Sequence, residues 1–170
     1  MFRYLKAFLN YQKALLDYQK YYFFINKIRI FTQNLLVSIK LCIVKLLVVD
    51  DNPINQKFLF YSLKNIFEIE FANNGLEAVN LLDNKSFDVG LMDLMMPIMD
   101  GAEATLRIRK SDNYRNKYIP IIFVTTNDFE NDRILCMKNG ADDYLLKPIN
   151  IDNLITTIDF HLKQKQELLY

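Results

Sequence analysis

The chain has 170 residues, of which 51% are hydrophobic, and its formal net charge is +1. This length predicts one domain with an extension, and the apolar content is enough for a sizeable core. No transmembrane helix is predicted, because charged side chains interrupt the apolar runs near the N-terminus well before about 18 residues. No signal-peptide pattern is present either.

Residues 1–45 contain eight Lys or Arg and a single acid, Asp17, whereas residues 46–170 carry a net charge of about −6. The contrast predicts a boundary near residue 45, with residues 1–44 as a basic, aromatic-rich helical extension or linker. The acidic remainder shows no basic surface for nucleic acid, so we expect no direct nucleic-acid partner.

Within this extension, residues 3–28 lack Gly and Pro, and their apolar positions alternate between spacings of four and three, which predicts an amphipathic helix. Those positions are Tyr4, Phe8, Tyr11, Leu15, Tyr18, Tyr22 and Ile25. We favour packing on the domain or on a second copy. Membrane-surface contact by residues 1–28 is a less favoured alternative, and a fragment end without stable structure is a third.

From residue 45 onward, strand and helix patterns alternate. Five βα units predict an α/β fold with a five-stranded parallel sheet and helices on both faces. The predicted strands are β1 at 45–50, β2 at 68–72, β3 at 87–93, β4 at 120–125 and β5 at 143–146. The predicted helices are α1 at 53–66, α2 at 75–84, α3 at 100–111, α4 at 128–139 and α5 at 150–165.

Some local features can also be predicted. Pro53 suits the first turn of α1, and Asp100 suits the cap of α3. Gly101 suits a tight turn into α3, and Gly90 should weaken β3. The predicted core face of α1 consists of Phe58, Leu59, Leu63 and Ile66.

The cysteines and the histidine carry no predicted chemistry. Cys42 and Cys136 are too few for a disulfide framework, and we interpret them as small buried residues of a protein in the reducing cytoplasm. His161, the single histidine, is interpreted as a surface residue of α5. The four glycines form no nucleotide-binding motif, so we expect no kinase activity.

Polar residues end four of the predicted strands: Asp50 and Asp51 at β1, Asp93 at β3, Thr125 at β4 and Lys147 just after β5. In an open parallel sheet, functional groups gather beyond the carboxyl ends of the strands. Clustered carboxylates repel one another and offer hard oxygen ligands, so the pattern predicts a Mg²⁺ site. A strand-end Asp can instead cap the next helix, but capping hardly explains three Asp and a lysine.

Four motifs carry a resemblance to a known family: VVDDNP at 48–53, LMDLMMPIMDG at 91–101, VTT at 124–126 and YLLKP at 144–148. In this order and spacing, they resemble the receiver domain of two-component response regulators, most of all the receivers of hybrid histidine kinases. The resemblance implies a flavodoxin-like fold with strand order 2-1-3-4-5. It predicts a receiver at residues 45–165 and a C-terminal tail at 166–170.

The resemblance also implies roles for these residues. Asp93 would be the phosphoacceptor. Asp51 would bind Mg²⁺ directly and Asp50 through water, and the backbone carbonyl of Met95 would complete the protein ligands. Lys147 would contact the phosphoryl group.

Further roles concern the switch that follows phosphorylation. Thr125 would also contact the phosphoryl group and would move toward it, while Tyr144 turned inward and remodelled the α4–β5–α5 face. The Lys147–Pro148 peptide would be cis. Asn127 would be the one water-positioning residue, since the thioether of Met95 is a weak acceptor, so dephosphorylation would be slow.

The implied function is that of a phosphoacceptor in two-component or phosphorelay signalling, with at most slow autophosphatase activity. A histidine kinase or histidine phosphotransfer protein would donate, and a downstream effector would read the result. Two alternatives remain. A degenerate receiver would act only as a binding module, although the five site residues are present. A phosphohydrolase with an Asp nucleophile would need a second Asp where Met95 stands.

Overall fold

The computed structural model describes residues 44–111 and 118–167. The helix predicted over residues 3–28, its membrane contact and Cys42 lie outside the described residues. Among the residues that are described, no helix is both long and apolar enough to cross a membrane.

The described residues form a parallel sheet in the order β2-β1-β3-β4-β5, which confirms the predicted fold class and strand order. The strands are β1 (Lys45–Val49), β2 (Glu68–Ala72), β3 (Val89–Met92), β4 (Ile121–Thr125) and β5 (Asp143–Leu146). The helices that alternate with them are α1 (Pro53–Leu63), α2 (Gly75–Asn84), α3 (Gly101–Lys110), α4 (Glu130–Lys138) and α5 (Ile151–Glu167).

The core has one layer on each face of the sheet, because side chains alternate along a strand. Leu47 and Val49 of β1 pack with buried residues of α2, α3 and α4. Leu46 and Val48 pack on the opposite face with buried residues of α1 and α5. The central strands are buried on both faces, which explains why their sequences are continuously apolar.

Capping side chains begin both α1 and α3, although only the cap of α3 was predicted. The side chain of Asn52 accepts a hydrogen bond from the Ile54 amide (2.9 Å), and Pro53 occupies the first helical turn. The carboxylate of Asp100 accepts a hydrogen bond from the Glu103 amide (2.7 Å), which confirms Asp100 as a cap. Cys136 is a buried free thiol, also as predicted.

The predicted core face of α1 is only half right. Leu59 and Leu63 are buried, but Phe58 is 46% exposed and Ile66 is 51% exposed. Phe58 precedes Leu59 by about 100° around the helix, which turns it toward solvent. Ile66 lies beyond the end of α1 at Leu63, so the helical period no longer directs it to the core.

The interpretation of His161 as a surface residue is wrong. Its side chain is buried against β5, and its Nε2 lies 2.9 Å from Oδ2 of Asp143. Leu154, Ile158 and His161 are spaced four and three apart, so they share the face of α5 that packs on the sheet. This spacing was visible in the sequence.

Gly101 is required by close packing. A Cβ atom at this position would lie 2.1 Å from the backbone oxygen of Asp93 and 2.9 Å from side-chain atoms of Met92 and Phe123. The first turn of α3 therefore rests directly on the end of β3. Gly90 differs, because the nearest atoms to a Cβ there would be 3.9 Å away.

We therefore predict opposite outcomes for two alanine substitutions. Gly101→Ala should lower the free energy of unfolding by at least about 1–3 kcal/mol, because the clash is with backbone and core atoms. The matched control, Gly90→Ala, should be neutral or stabilise the strand by up to about 1 kcal/mol. Urea denaturation of both variants checks the prediction, and equal destabilisation would contradict it.

Candidate active site

The carboxylates after β1 and β3 are brought together by strand pairing. Val49 of β1 is in register with Met92 of β3, and the Asp93 amide donates a hydrogen bond to the Val49 carbonyl (2.8 Å). Asp50, Asp51 and Asp93 each offer one carboxylate oxygen within 4.8 Å of the others. Asp50 is buried and Asp51 is exposed, so the cluster has a protein side and a solvent side.

Lys147 links the carboxylates from the end of β5. Its ammonium donates to Oδ2 of Asp50 at 2.7 Å and to Oδ2 of Asp93 at 2.6 Å. All three side chains are largely shielded from solvent. The Lys147–Pro148 peptide is cis, as expected.

Asp50 is 2% exposed and its carboxylate is surrounded by donors. Oδ1 accepts from the Asn52 amide (2.8 Å), and the Asn55 side-chain amide lies 3.1 Å from Oδ1 and 3.0 Å from Oδ2. The Gln56 side chain donates to the Asp50 backbone carbonyl (2.6 Å). Neither Asn55 nor Gln56 was predicted as a site residue, although two amide side chains about one helical turn beyond Asp50 and Asp51 could have indicated them.

Burial and the contact between opposite charges shift the pKa values of Asp93 and Lys147 in opposite directions. Burial raises the pKa of Asp93, and the hydrogen bond from Lys147 lowers it. The negative charge of Asp50 raises it further. The effect of burial is the largest, and the pKa of Asp93 lies above its ordinary value. Burial alone would lower the pKa of Lys147, but the hydrogen bonds to Asp50 and Asp93 raise it above its ordinary value. Lys147 is therefore cationic at neutral pH.

Thr125 and Tyr144 are joined through the backbone of Asn127. The buried Thr125 hydroxyl accepts a hydrogen bond from the Asn127 amide (3.2 Å). The Tyr144 hydroxyl donates to the Asn127 carbonyl (2.5 Å), and its ring stacks on Phe123. Tyr144 is thus already half-buried in this structure, and burial raises its pKa to about 12.

The side chain of Asn127 holds the start of α4. Its Nδ2 donates to Asp132 (2.6 Å), and its Oδ1 accepts from the Phe129 amide (3.1 Å). The assignment of Asn127 as the water-positioning residue stays a prediction. These two hydrogen bonds also connect its side chain to the start of α4. Met95 is 67% exposed, beyond the end of β3.

A comparison with known protein families shows the family to which the chain belongs. The sequence model of one family, the response regulator receiver domain, matches residues 46–159. The chain belongs to this family. The carboxylate cluster, Lys147 and Thr125 therefore lie in a receiver domain.

Sensor and hybrid kinases are among the relatives of this receiver. The sensor histidine kinase RcsC of Salmonella typhi is 36% identical over 114 residues, which is 66% of this chain and 12% of that protein. The hybrid signal transduction histidine kinase I of Dictyostelium discoideum is 41% identical over 112 residues, 62% of this chain and 6% of that protein. The chain thus matches only a small part of each kinase.

Solved receiver domains have the same fold. The receiver domain of a Pseudomonas aeruginosa sensor histidine kinase is 32% identical, with a TM-score of 0.65, covering 71% of this chain and 98% of that one. That structure has a magnesium ion in its active-site cleft. The receiver domain of a Francisella response regulator is 32% identical, with a TM-score of 0.64 and the same coverage.

The carboxylate cluster of this receiver fits such an ion. Three carboxylate oxygens within 4.8 Å of one another are the hard ligands that Mg²⁺ prefers. Asp51 is exposed, so solvent reaches this cluster. The acidic pocket is typical of phosphoacceptor sites.

We predict that Asp93→Asn is more stable than the wild type at pH 7 in buffer with a chelator. The raised pKa means that the folded state binds a proton at Asp93 more tightly than the unfolded chain does, so this carboxyl lowers stability as the pH rises above its ordinary value of 3.8. A tenfold difference in proton affinity between the folded and unfolded states corresponds to about 1.4 kcal/mol. The gain should fade as the pH is lowered to about 4.

Denaturant unfolding at several pH values measures this difference. Asp159→Asn, which removes an exposed acid of α5, is the control and should change stability by no more than a few tenths of a kcal/mol. A variant of Asp93 that is less stable than the wild type at pH 7 would show that the Lys147 contact outweighs burial.

Proposed function

We propose that this receiver accepts a phosphoryl group on Asp93 from a phosphohistidine of a histidine kinase or histidine phosphotransfer protein. The observation that carries the proposal is the position of Lys147, which donates to both Asp50 and Asp93 where three carboxylates meet. The protein acts as a phosphoacceptor with at most slow autophosphatase activity. Its donor and effector lie with it in the cytoplasm.

In the proposed reaction, an oxygen of Asp93 attacks the phosphorus in line. The P–O bond forms while the P–N bond to the donor imidazole breaks, and the imidazole retains or takes up a proton as it leaves. Asp93 needs no general base when it is ionised. Lys147, already 2.6 Å from the nucleophile, neutralises charge on the phosphoryl oxygens.

The same residues are suited to hold Mg²⁺. Asp51 would bind it directly and Asp50 through water, with Asp93 and the carbonyl of Met95 as further ligands. When bound, Mg²⁺ would supply positive charge to the phosphoryl oxygens and relieve the repulsion among the carboxylates.

The response to phosphorylation would pass through Asn127. The Thr125 hydroxyl can donate its proton to a phosphoryl oxygen, and movement toward that oxygen would pull the Asn127 amide bonded to it. Because the Asn127 carbonyl holds the Tyr144 hydroxyl, Tyr144 would move too. An effector protein would read the altered α4–β5–α5 face, where Leu135, Leu146 and Phe160 are exposed.

Labelling with acetyl phosphate and Mg²⁺, followed by mass spectrometry, tests the function. We expect the mass of one phosphoryl group on Asp93 and no labelling of Asp93→Asn. Asp100→Asn, which removes only a helix-capping carboxylate, should still be labelled. Labelling of the Asp93 variant elsewhere in the domain would contradict the assignment, and an unlabelled wild type would favour the binding-module alternative.

The lifetime of the aspartyl phosphate provides a further prediction. Met95 is exposed but cannot orient a water, so decay should be slow. Met95→Asn should accelerate decay by about tenfold, equivalent to about 1.4 kcal/mol of barrier. Asn127→Ala should slow it further, although this change also releases α4.

Decay is followed in Mg²⁺ after removal of the donor. Ile98→Asn is the matched control, because Ile98 is exposed in the same loop at a positive φ that Asn tolerates. It should leave the half-life unchanged. A wild-type half-life of seconds that Met95→Asn does not alter would show that another group positions the water.

A further inference from the structure

Asn55, in the first turn of α1, contacts the buried carboxylate of Asp50 through its side-chain amide. Its Nδ2 lies 3.1 Å from Oδ1 and 3.0 Å from Oδ2 of Asp50. Because an ionised carboxylate only accepts hydrogen bonds, the amide nitrogen must face it. Asp50 is almost fully buried, so water cannot readily replace this donor.

We propose that Asn55 is a positioning residue that determines how Lys147 is shared between Asp50 and Asp93. This inference rests on the proposed phosphoacceptor function. Asn55 acts through Asp50 and does not itself contact Asp93.

The donors around Asp50 explain how this works. Four hydrogen bonds reach the Asp50 carboxylate in this structure: one from the Asn52 amide, two from the Asn55 side-chain amide and one from the Lys147 ammonium. The ammonium is held almost equally, at 2.7 Å from Asp50 and 2.6 Å from Asp93. Two of these donors, Asn55 and Lys147, bond to Oδ2 of Asp50. If Asn55 is removed, Lys147 is the one that remains.

A buried anion that loses a donor attracts its remaining cation more strongly. In Asn55→Ala, the Lys147 ammonium should therefore move toward Asp50 and away from Asp93. The charge that stabilises phosphoryl transfer to Asp93 would then be partly withdrawn. Gln56, the next residue, donates to the backbone carbonyl of Asp50 and to Asn73, so it fixes the strand end and not the carboxylate.

A double-mutant cycle tests the inference with the variants Asn55→Ala, Asp50→Asn and both together. The first measurement is the side-chain ¹⁵N resonance of Lys147 in metal-free protein, which does not depend on phosphorylation. Asn55→Ala should shift this resonance in the wild-type background. It should shift the resonance much less in the Asp50→Asn background, because a neutral amide attracts the ammonium far more weakly than a carboxylate does.

The second measurement is the rate of labelling by acetyl phosphate at saturating Mg²⁺. We expect Asn55→Ala to slow labelling by about tenfold in the wild-type background and by less than twofold in the Asp50→Asn background. Asn139→Ala, which removes an amide bonded to the Ala102 carbonyl, is the control for general loss of a hydrogen bond. It should label at the wild-type rate.

An unchanged Lys147 resonance in Asn55→Ala, or an equal loss of rate in both backgrounds, would overturn the role of Asn55. Failure of the wild type to become labelled would instead overturn the proposed function, and the Lys147 resonance would still decide the inference.

Discussion

The contact on which the site depends is the Lys147 ammonium held between the carboxylates of Asp50 and Asp93. The three residues are contributed by the ends of three strands and are far apart in the chain. Buried charges are costly unless they are paired, so this contact constrains the edge of the sheet where the strands end. Such a buried pair is weak grounds for stability, because the cost of removing the charges from water offsets much of their attraction.

Dense packing beneath the site makes this arrangement stiff. The start of α3 approaches the backbone of Asp93 so closely that Gly101 leaves no room for a methyl group. Asp93 is further fixed by the bond between its amide and Val49 and by the bond from the Leu94 amide to its Oδ1. The Asp93 carboxylate is therefore held by backbone contacts, while its cationic partner Lys147 reaches it through a side chain.

The solvent side of the site is built differently. Asp51 and Met95 are exposed, and the loop after β4 is held by the amide of Asn127. Thr125 and Tyr144 bond to the two backbone groups of this one residue. A displacement of Thr125 would thus be transmitted over a short path to the aromatic residue on β5. These two hydrogen bonds connect the end of β4 to β5 through a single residue.

The sequence by itself determined the order of the elements, the two-sided core and the main site residues. Continuous apolar strands predict a sheet that is buried on both faces. Asp, Thr and Lys residues stand at or just after the ends of these strands, and the carboxyl ends of parallel strands lie at one edge of the sheet. Asp50, Asp51, Asp93 and Lys147 could therefore be assigned to one site without a structure. The short range of capping interactions likewise made Pro53 and Asp100 predictable.

Tertiary structure decided the contacts that depend on helix phase and on distance across the fold. Which side of α1 meets the sheet determines that Leu59 is buried while Phe58 is not, and that Asn55 reaches the Asp50 carboxylate. His161 became a buried partner of Asp143 only because α5 packs across β5. Asn127 was found to hold α4 because the loop folds back on Asp132 and Phe129. Residue type and spacing specify what a side chain can bond to, but only the packed geometry selects the partner that it does bond.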